Sequence, residues 1–281
     1  MNLYSIVNGY FRLDGGAMFG VVPKTIWSKI APADENNLIR LAMRSLLIED
    51  NGRLILVDTG IGDKQDQKLM RHYYLHGHDS TDKSLAAHGF SRDDITDVYL
   101  THLHLDHAGG AVKIVNGEYV PAFPNARYWT NQSQWDWAMN PNDREKASFL
   151  KENLLPLKEY GVLHFVDPDA RNQFPQNIST RISSGHTESM MIPVLQYKQK
   201  IVVFIADLIP TTAHIPVPYV PGYDVNPLQT MKEKAAFLTE AFENEYILFF
   251  GHDVDFECCT LQMTEKGIRV KETFPISAIQ P

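Results

Sequence analysis

The chain has 281 residues, 44% hydrophobic and 21% charged, with a formal net charge of −8. This length supplies one large or two small domains and a substantial core. The acidic balance and scattered Lys and Arg exclude bulk electrostatic capture of nucleic acid, and no apolar stretch approaches the length of a membrane span.

In chain order, the apolar runs 45–49 and 54–58, joined by Asp50-Asn51-Gly52, predict a β-hairpin. Thr59-Gly60-Ile61-Gly62 follows as a glycine-rich turn. Residues 64–75 and 80–88 predict helices, the second opened by Asp79 and Ser80 as caps. Residues 95–100 and 126–130 read as short strands, and 131–160 as a long helical region interrupted near Pro141 and Pro156. The second half repeats this style. A short strand over 179–183 ends at Ser184-Gly185-His186, and a second hairpin over 192–197 and 201–206 ends at Asp207. Residues 210–227 form a Pro-rich loop. The spacing of Met231, Ala235, Leu238 and Phe242 predicts one apolar face of a helix over 228–243. A buried strand over 245–250 ends at Gly251-His252. With no low-complexity linker, residues 1–281 read as a single α/β domain made of two sheet-plus-helix halves.

Cys258 and Cys259 are the only cysteines and are adjacent. A disulfide between neighbours is strained, so they read as small buried hydrophobes and the chain fits a reducing compartment. The N-terminus lacks a basic region followed by a long apolar run and does not read as a signal peptide. The expectation is a soluble cytoplasmic protein.

The most informative segment is Thr101-His102-Leu103-His104-Leu105-Asp106-His107-Ala108-Gly109-Gly110. It begins where a strand ends, at the kind of sheet edge where α/β folds bind ligands. If the segment stays extended through Leu105, His102 and His104 point the same way, because strand side chains alternate. Asp106 and His107 then face a second point, so the pattern suits two metals rather than one. Imidazole and carboxylate suit Zn, Fe, Ni or Mn, and the lack of thiolate argues against a closed structural zinc site. Gly109 and Gly110 remove bulk beside it. A second histidine cluster, His72, His76 and His78, has no acidic partner at ligand spacing and no strand leading into it. It reads as a solvated helix end. Three further candidate ligands, His186, Asp207 and His252, each follow a small residue at the end of an apolar run.

Val57-Asp58-Thr59-Gly60, then His102-x-His104-x-Asp106-His107, then His186, Asp207 and His252, in that order, resemble the metallo-β-lactamase-fold hydrolase superfamily. The resemblance spans about residues 40 to 255 and implies a four-layer αββα sandwich with two metals between the sheets. It implies that His102, His104 and His186 hold one metal, that Asp106, His107 and His252 hold the other, and that Asp207 bridges them. Asp58 would orient a ligating imidazole from behind. The metals expected are two zinc ions, although His/Asp sites also accept Mn, Fe or Co. The segment 18–23, with Met18, Phe19 and Val21, resembles the pocket-edge loop of lactonase-like and phosphotriesterase-like members. In the acyl-homoserine lactonases a pocket tyrosine lies three residues after the bridging Asp; that position is Pro210 here. Tyr219 or Tyr223 from the Pro-rich loop is the expected substitute, and His214 an expected substrate contact.

The implied reaction is attack by a metal-bridging hydroxide on a lactone or other ester-like bond of a small apolar substrate, with Asp106 or Asp207 relaying the proton. Phosphotriester or aryl-ester hydrolysis is the alternative on the same site. Flavodiiron members of the fold carry Glu where this chain has His104, which favours hydrolysis. Persulfide dioxygenases keep the His pattern with one iron and stay open as an oxidoreductase alternative. A non-catalytic scaffold would have lost ligands, and none is lost. The partner expected is a small molecule, not nucleic acid or a membrane. A homodimer is common among the hydrolases it resembles, and the sequence leaves the oligomeric state open.

Overall fold

The computed structural model describes residues 1–167, 173–175 and 177–279. The chain begins with β1 (Asn2–Asp14), α1 (Gly15–Phe19) and α2 (Lys24–Trp27). Strands β2 (Leu38–Asp50) and β3 (Arg53–Val57) come next, then α3 (Gln67–Met70), α4 (Thr81–Ala87) and β4 (Asp97–Tyr99). Helix α5 (Leu105–Ala108) leads into a small hairpin of β5 (Val112–Val115) and β6 (Glu118–Pro121). Strand β7 (Arg127–Thr130), α6 (Gln132–Met139), α7 (Lys151–Glu159) and β8 (Leu163–Phe165) complete the first half. The second half holds β9 (Ile178–Ser183), β10 (Met190–Tyr197), β11 (Lys200–Phe204), α8 (Pro227–Glu243), β12 (Ile247–Phe249), β13 (Cys258–Thr264) and β14 (Gly267–Phe274).

Two six-stranded sheets form, in the orders β1-β2-β3-β4-β7-β8 and β14-β13-β12-β11-β10-β9. Both are mixed: β3, β4, β7 and β8 run parallel, as do β11 and β12, while the remaining neighbours are antiparallel. The period-2 alternation of the first sheet explains its two packed faces. Leu46, Ile48, Val57 and Tyr99 face the second sheet and share one core with its Met191, Phe204 and Phe249. Leu47, Leu56 and Val98 point the other way, to Leu85, Trp135 and Leu157 of the covering helices. Helix α8 covers the outer face of the second sheet through Phe237, Leu238 and Ala241. The layers are therefore helices, sheet, sheet, helices, as the sequence implied.

The hairpin at Asn51-Gly52 forms, with Asp50 opposite Arg53. Cys258 and Cys259 are free and buried. Other expectations are corrected. The helix expected over 64–75 shrinks to α3, because Lys64 and Gln65 are drawn away: Lys64 Nζ donates to the Gly109 carbonyl, and Gln65 Nε2 to the Ile61 carbonyl and Asn153 Oδ1. Helix α7 runs through Pro156 instead of breaking there. Of the face expected for α8, Leu238 is buried and Phe242 packs against the core, but Met231 and Ala235 are only half-buried, and the fully inward positions are Thr230, Lys234, Phe237, Leu238 and Ala241. Lys234 is fully buried and donates to the carbonyls of His214 (3.0 Å) and Tyr219 (2.7 Å), mooring the Pro-rich loop on the helix. Burial pushes its ammonium down to about 7, against a partly opposing pull from Asp224.

The edge where α8 begins is packed as tightly as its chemistry allows. A Cβ on Gly185 would stand 2.4 Å from the backbone nitrogen of Thr230 in the first turn of α8. Backbone cannot yield there, so Gly185→Ala is expected to cost about 1–3 kcal/mol, the usual range for forced overpacking, lowering Tm by several degrees in thermal denaturation. Lys234 makes a second prediction. Between the folded value of about 7 and the ordinary lysine value, the unfolded chain binds a proton that the folded chain does not. Stability therefore rises with pH across that window. Lys234→Met removes this contribution, so the stability gained by wild type over the variant between pH 7 and 9.5, measured by urea denaturation, should be positive; no change in the difference would refute the buried neutral amine.

Candidate metal centre

Five segments meet at one edge of the sandwich. Asp58 follows β3, the 101–107 motif follows β4, His186 follows β9, Asp207 follows β11 and His252 follows β12. Because β3 and β4 are parallel, and β11 and β12 are parallel, their carboxyl ends leave the sheets together. The motif is extended at His104, the N-cap residue of α5, and turns helical at Leu105, one residue earlier than expected, so that Asp106 and His107 lie in the single turn of α5. That turn is held against residues 59–61 by Thr59 N to the His107 carbonyl (2.8 Å) and Gly110 N to the Gly60 carbonyl (2.7 Å). Gly110 has a close-approach role here: a Cβ would lie 2.2 Å from the Thr59 carbonyl oxygen.

Three groups of side chains come within metal-holding distance, their ligand atoms within 4.8 Å of one another: His102, His104 and His186; His102, His107 and Asp207; Asp106, His107 and His252. His186 Nε2 lies 3.1 Å from His104 Nδ1, and His252 Nε2 lies 3.0 Å from His107 Nε2. Asp207 sits between the sets, its carboxylate 3.4 Å from His186 Nε2, 3.5 Å from His107 Nε2 and 3.2 Å from His252 Nε2.

The outer nitrogen of each ring has its own partner. His107 Nδ1 meets Asp58 Oδ2 at 2.8 Å, His186 Nδ1 meets Asp224 Oδ1 at 2.9 Å, and His104 Nε2 meets Glu145 Oε1 at 3.2 Å. His252 Nδ1 donates to the Ala42 carbonyl at 2.8 Å. These partners are themselves fixed. Asp58 accepts from Thr101 N and Oγ1, Asp224 from Thr230 Oγ1, and Glu145 from Trp137 Nε1 and Asn142 Nδ2. Hydrogen bonds, that from His104 foremost, bring the Glu145 carboxyl down to about 2 although burial opposes its ionisation. Thr101 gives its hydroxyl proton to Asp58, so it accepts from His102 Nδ1 at 3.1 Å.

Acceptors behind the rings fix the protons there and leave lone pairs facing inward. His102 Nε2 and Asp207 Oδ1 are buried without a hydrogen-bond partner; the 3.2 Å approach of His252 Nε2 to Asp207 Oδ1 lacks hydrogen-bond direction. Two pairs of imidazole lone pairs would otherwise face each other at 3.0–3.1 Å. Divalent cations resolve this arrangement, and the donor set fits them. In the metal-free protein protons take their place in part. Burial disfavours the charged ring throughout and holds His102 and His104 below the usual imidazole range. At His107, His186 and His252 burial is overcome chiefly by the Asp207 charge, and all three lie above it. Asp207 lies well below the usual carboxylate range despite burial, because His252, His107 and His186 surround it.

The centre forms the floor of a cavity of about 500 Å³. Phe11, Leu13, Met18, Leu41 and Leu69 give it an apolar wall; Tyr73, Arg144 and Tyr223 also line it. Of the expected pocket residues, Met18 and Tyr223 are there, and Pro210 is too. The others are corrected. Val21 is 92% exposed and lies outside the cavity. Phe19 is stacked between Trp27 (5.4 Å) and His214 (4.5 Å) and opens on a neighbouring cavity instead. His214 is buried, its ring nitrogens on Thr211 Oγ1 and the Met18 carbonyl, and Tyr219 packs edge-on to Phe19. They support the wall from behind. Burial raises both cavity phenols, Tyr223 to about 12 and Tyr73 further, so each keeps its proton to donate. His72 reaches the cavity rim, but none of His72, His76 and His78 joins a metal-holding group among the described residues. Glu145, Asp224 and Tyr73 were not foreseen.

This fold and site define a metallo-hydrolase sandwich, and the chain belongs to the metallo-beta-lactamase superfamily, whose sequence profile matches residues 44–252. An N-acyl homoserine lactonase of Bacillus thuringiensis is 25% identical over 235 residues, covering 78% of this chain and 84% of its own. The structure of a probable metal-dependent hydrolase from Staphylococcus aureus superposes with a TM-score of 0.88 at 27% identity, covering 98% of this chain and 96% of its own. The dizinc quorum-quenching lactonase AidC, solved with the product N-hexanoyl-L-homoserine, shares the fold at a TM-score of 0.79 and 21% identity, over 97% and 94% of the two chains. No helix among the described residues is long and apolar enough to cross a membrane.

The carboxylates behind the rings lead to a prediction. Asp224→Asn keeps the shape but weakens the acceptor on His186 Nδ1. Metal affinity, measured by competition with a chromophoric chelator, should fall about 10–100-fold, the usual cost of losing such a partner; unchanged affinity would show that Asp224 does not support a metal ligand.

Proposed function

We propose that the protein is a dinuclear, zinc-using hydrolase that cleaves a lactone or related ester in a small substrate with an apolar acyl portion. One observation carries this reading: a cavity of about 500 Å³ joins a His/Asp floor to an apolar wall of Phe11, Leu13, Met18, Leu41 and Leu69. The lactonase relatives and the dizinc centre of AidC support it. His102, His104 and His186 would hold one ion, Asp106, His107 and His252 the other, with Asp207 between them. When bound, such a pair activates water near neutral pH and polarises the opposite oxygen of the substrate.

The chain's own residues do the rest. The apolar wall seats the acyl group and excludes water from it. Asp106 presents its carboxylate at the cavity floor, where it takes the proton released in hydrolysis and returns it to the leaving oxygen. Tyr223 keeps its phenolic proton and donates it as a hydrogen bond to a substrate oxygen, the role for which Pro210 has no donor. Asp58, Glu145 and Asp224 hold the imidazole rings in place from behind.

The purified protein is expected to contain about two metal ions per chain and to turn over lactones or aryl esters in a panel that includes phosphotriesters and thioesters. His102→Ala should lose metal and turnover together. One iron per chain with thiol-dependent oxygen uptake, or full turnover in His102→Ala, would sink this reading.

A further inference from the structure

The cavity is apolar on one side and carries a permanent cation on the other. Among the described residues Arg144 is the only Lys or Arg lining it. In a chain of net charge −8, such a guanidinium is ordinarily taken by a neighbouring carboxylate. Here both flanking carboxylates are engaged elsewhere. Asp143 pairs with Lys146 at 2.8 Å, and Glu145 is held by His104, Trp137 and Asn142. Arg144 forms no ion pair among the described residues; its one side-chain bond runs from an Nη to the Gly222 carbonyl across the cavity mouth. Its backbone nitrogen is fixed by Asn142 Oδ1 at 2.8 Å, which sets where the side chain leaves the loop. The remaining guanidinium donors are uncommitted and form a planar fork suited to a carboxylate.

We infer that Arg144 receives a carboxylate of the substrate, so that the preferred substrate is a monoanionic ester whose carboxylate and ester are separated by a short apolar chain. The inference rests on the ester-hydrolase reading above and narrows its substrate class. One guanidinium offsets one negative charge, and the apolar wall takes the chain between the two ends. Arg144 is a specificity residue here and takes no part in bond cleavage.

The test uses the metal-loaded full chain with monomethyl adipate and dimethyl adipate, which differ only in one charged end. Wild type should favour the monoanion in kcat/KM. In Arg144→Gln the monoanion-to-diester ratio should fall about tenfold or more, the scale of a charged hydrogen-bonded contact. Arg144→Lys, which keeps charge without the fork, should fall between. A ratio that moves less than twofold in Arg144→Gln would overturn the inference, because a residue that only staples the two loops lowers both substrates alike. Binding gives a readout independent of turnover. By calorimetry, adipate should bind wild type more tightly than hexanoate, and Arg144→Gln should lose that advantage; no advantage in wild type, or one kept in the variant, overturns it. If neither ester is turned over while the adipate advantage depends on Arg144, the hydrolase reading fails and the carboxylate site stands.

Discussion

The constraint on which the structure depends is the meeting of lone pairs at the sandwich edge. His104 and His186, and His107 and His252, bring ring nitrogens to 3.0–3.1 Å. Their other nitrogens are bound to acceptors that take no second role as donors: Glu145, Asp224, Asp58 and the Ala42 carbonyl. Each acceptor thus dictates what its ring shows the centre. Without these outer partners the rings could flip tautomer and pair with one another, and the centre would close on itself as a hydrogen-bonded cluster. With them, only cations or added protons relieve the interior, so the protein stores an electrostatic demand that metal ions satisfy.

That demand has a backbone cost, and the sheets bear it. Asp58 adopts a φ of 61° and Ala206, beside Asp207, a φ of 46°. A side-chain-bearing residue in that region typically costs about 1–3 kcal/mol. Asp58 directly follows β3, and Ala206 follows β11 after the buried Ile205, so neither turn can relax without moving the core. Ser45 Oγ donates to the Asp58 carbonyl, and Thr101 grips its carboxylate from the end of β4. Arg44, also buried, gathers the carbonyls of Phe250 and Asp253 on either side of His252. Strands β2, β3, β4 and β12 are in this way locked at the end where they carry the site.

The strand ends were legible in the sequence because the same signal recurs: an apolar run, a small or turn-forming residue, then His or Asp. It located Asp58, His102 to His107, His186, Asp207 and His252, and the family resemblance ordered them into sets. Glu145 and Asp224 were not legible. They lie in irregular loops, and nothing periodic distinguishes a carboxylate that supports a ring from one that faces water. Strand β1 was missed for another reason. Leu3, Ile6, Gly9 and Phe11 are its buried positions, and a register shift between Val7 and Gly9 breaks the period of two that marks a strand. The inward face of α8 was misread in part because Lys234 and Thr230 are inside: their partners, the carbonyls of the Pro-rich loop and Asp224, are tertiary and leave no trace in hydrophobic spacing.

The wall and the rim of the cavity differ in how they are built. Phe11 and Leu13 come from β1 and Leu41 from β2, strands joined by long antiparallel pairing, and Met18 from α1, which directly follows β1. Behind Met18 stands the stack of Trp27, Phe19 and His214, itself moored through the His214 carbonyl to Lys234. This side is rigid and can be selective only for apolar shape. Arg144 and Tyr223 come from two loops far apart in sequence, joined across the mouth by the bond from Arg144 to the Gly222 carbonyl. The polar groups of the rim therefore sit where substitution disturbs neither core nor metal floor. A fold that keeps its metal-capable side chains at the strand ends and the rim of its cavity in loops places the two under separate constraints, so the Pro-rich loop that carries Pro210 and Tyr223 can change without disturbing His102 to His107, His186, Asp207 or His252.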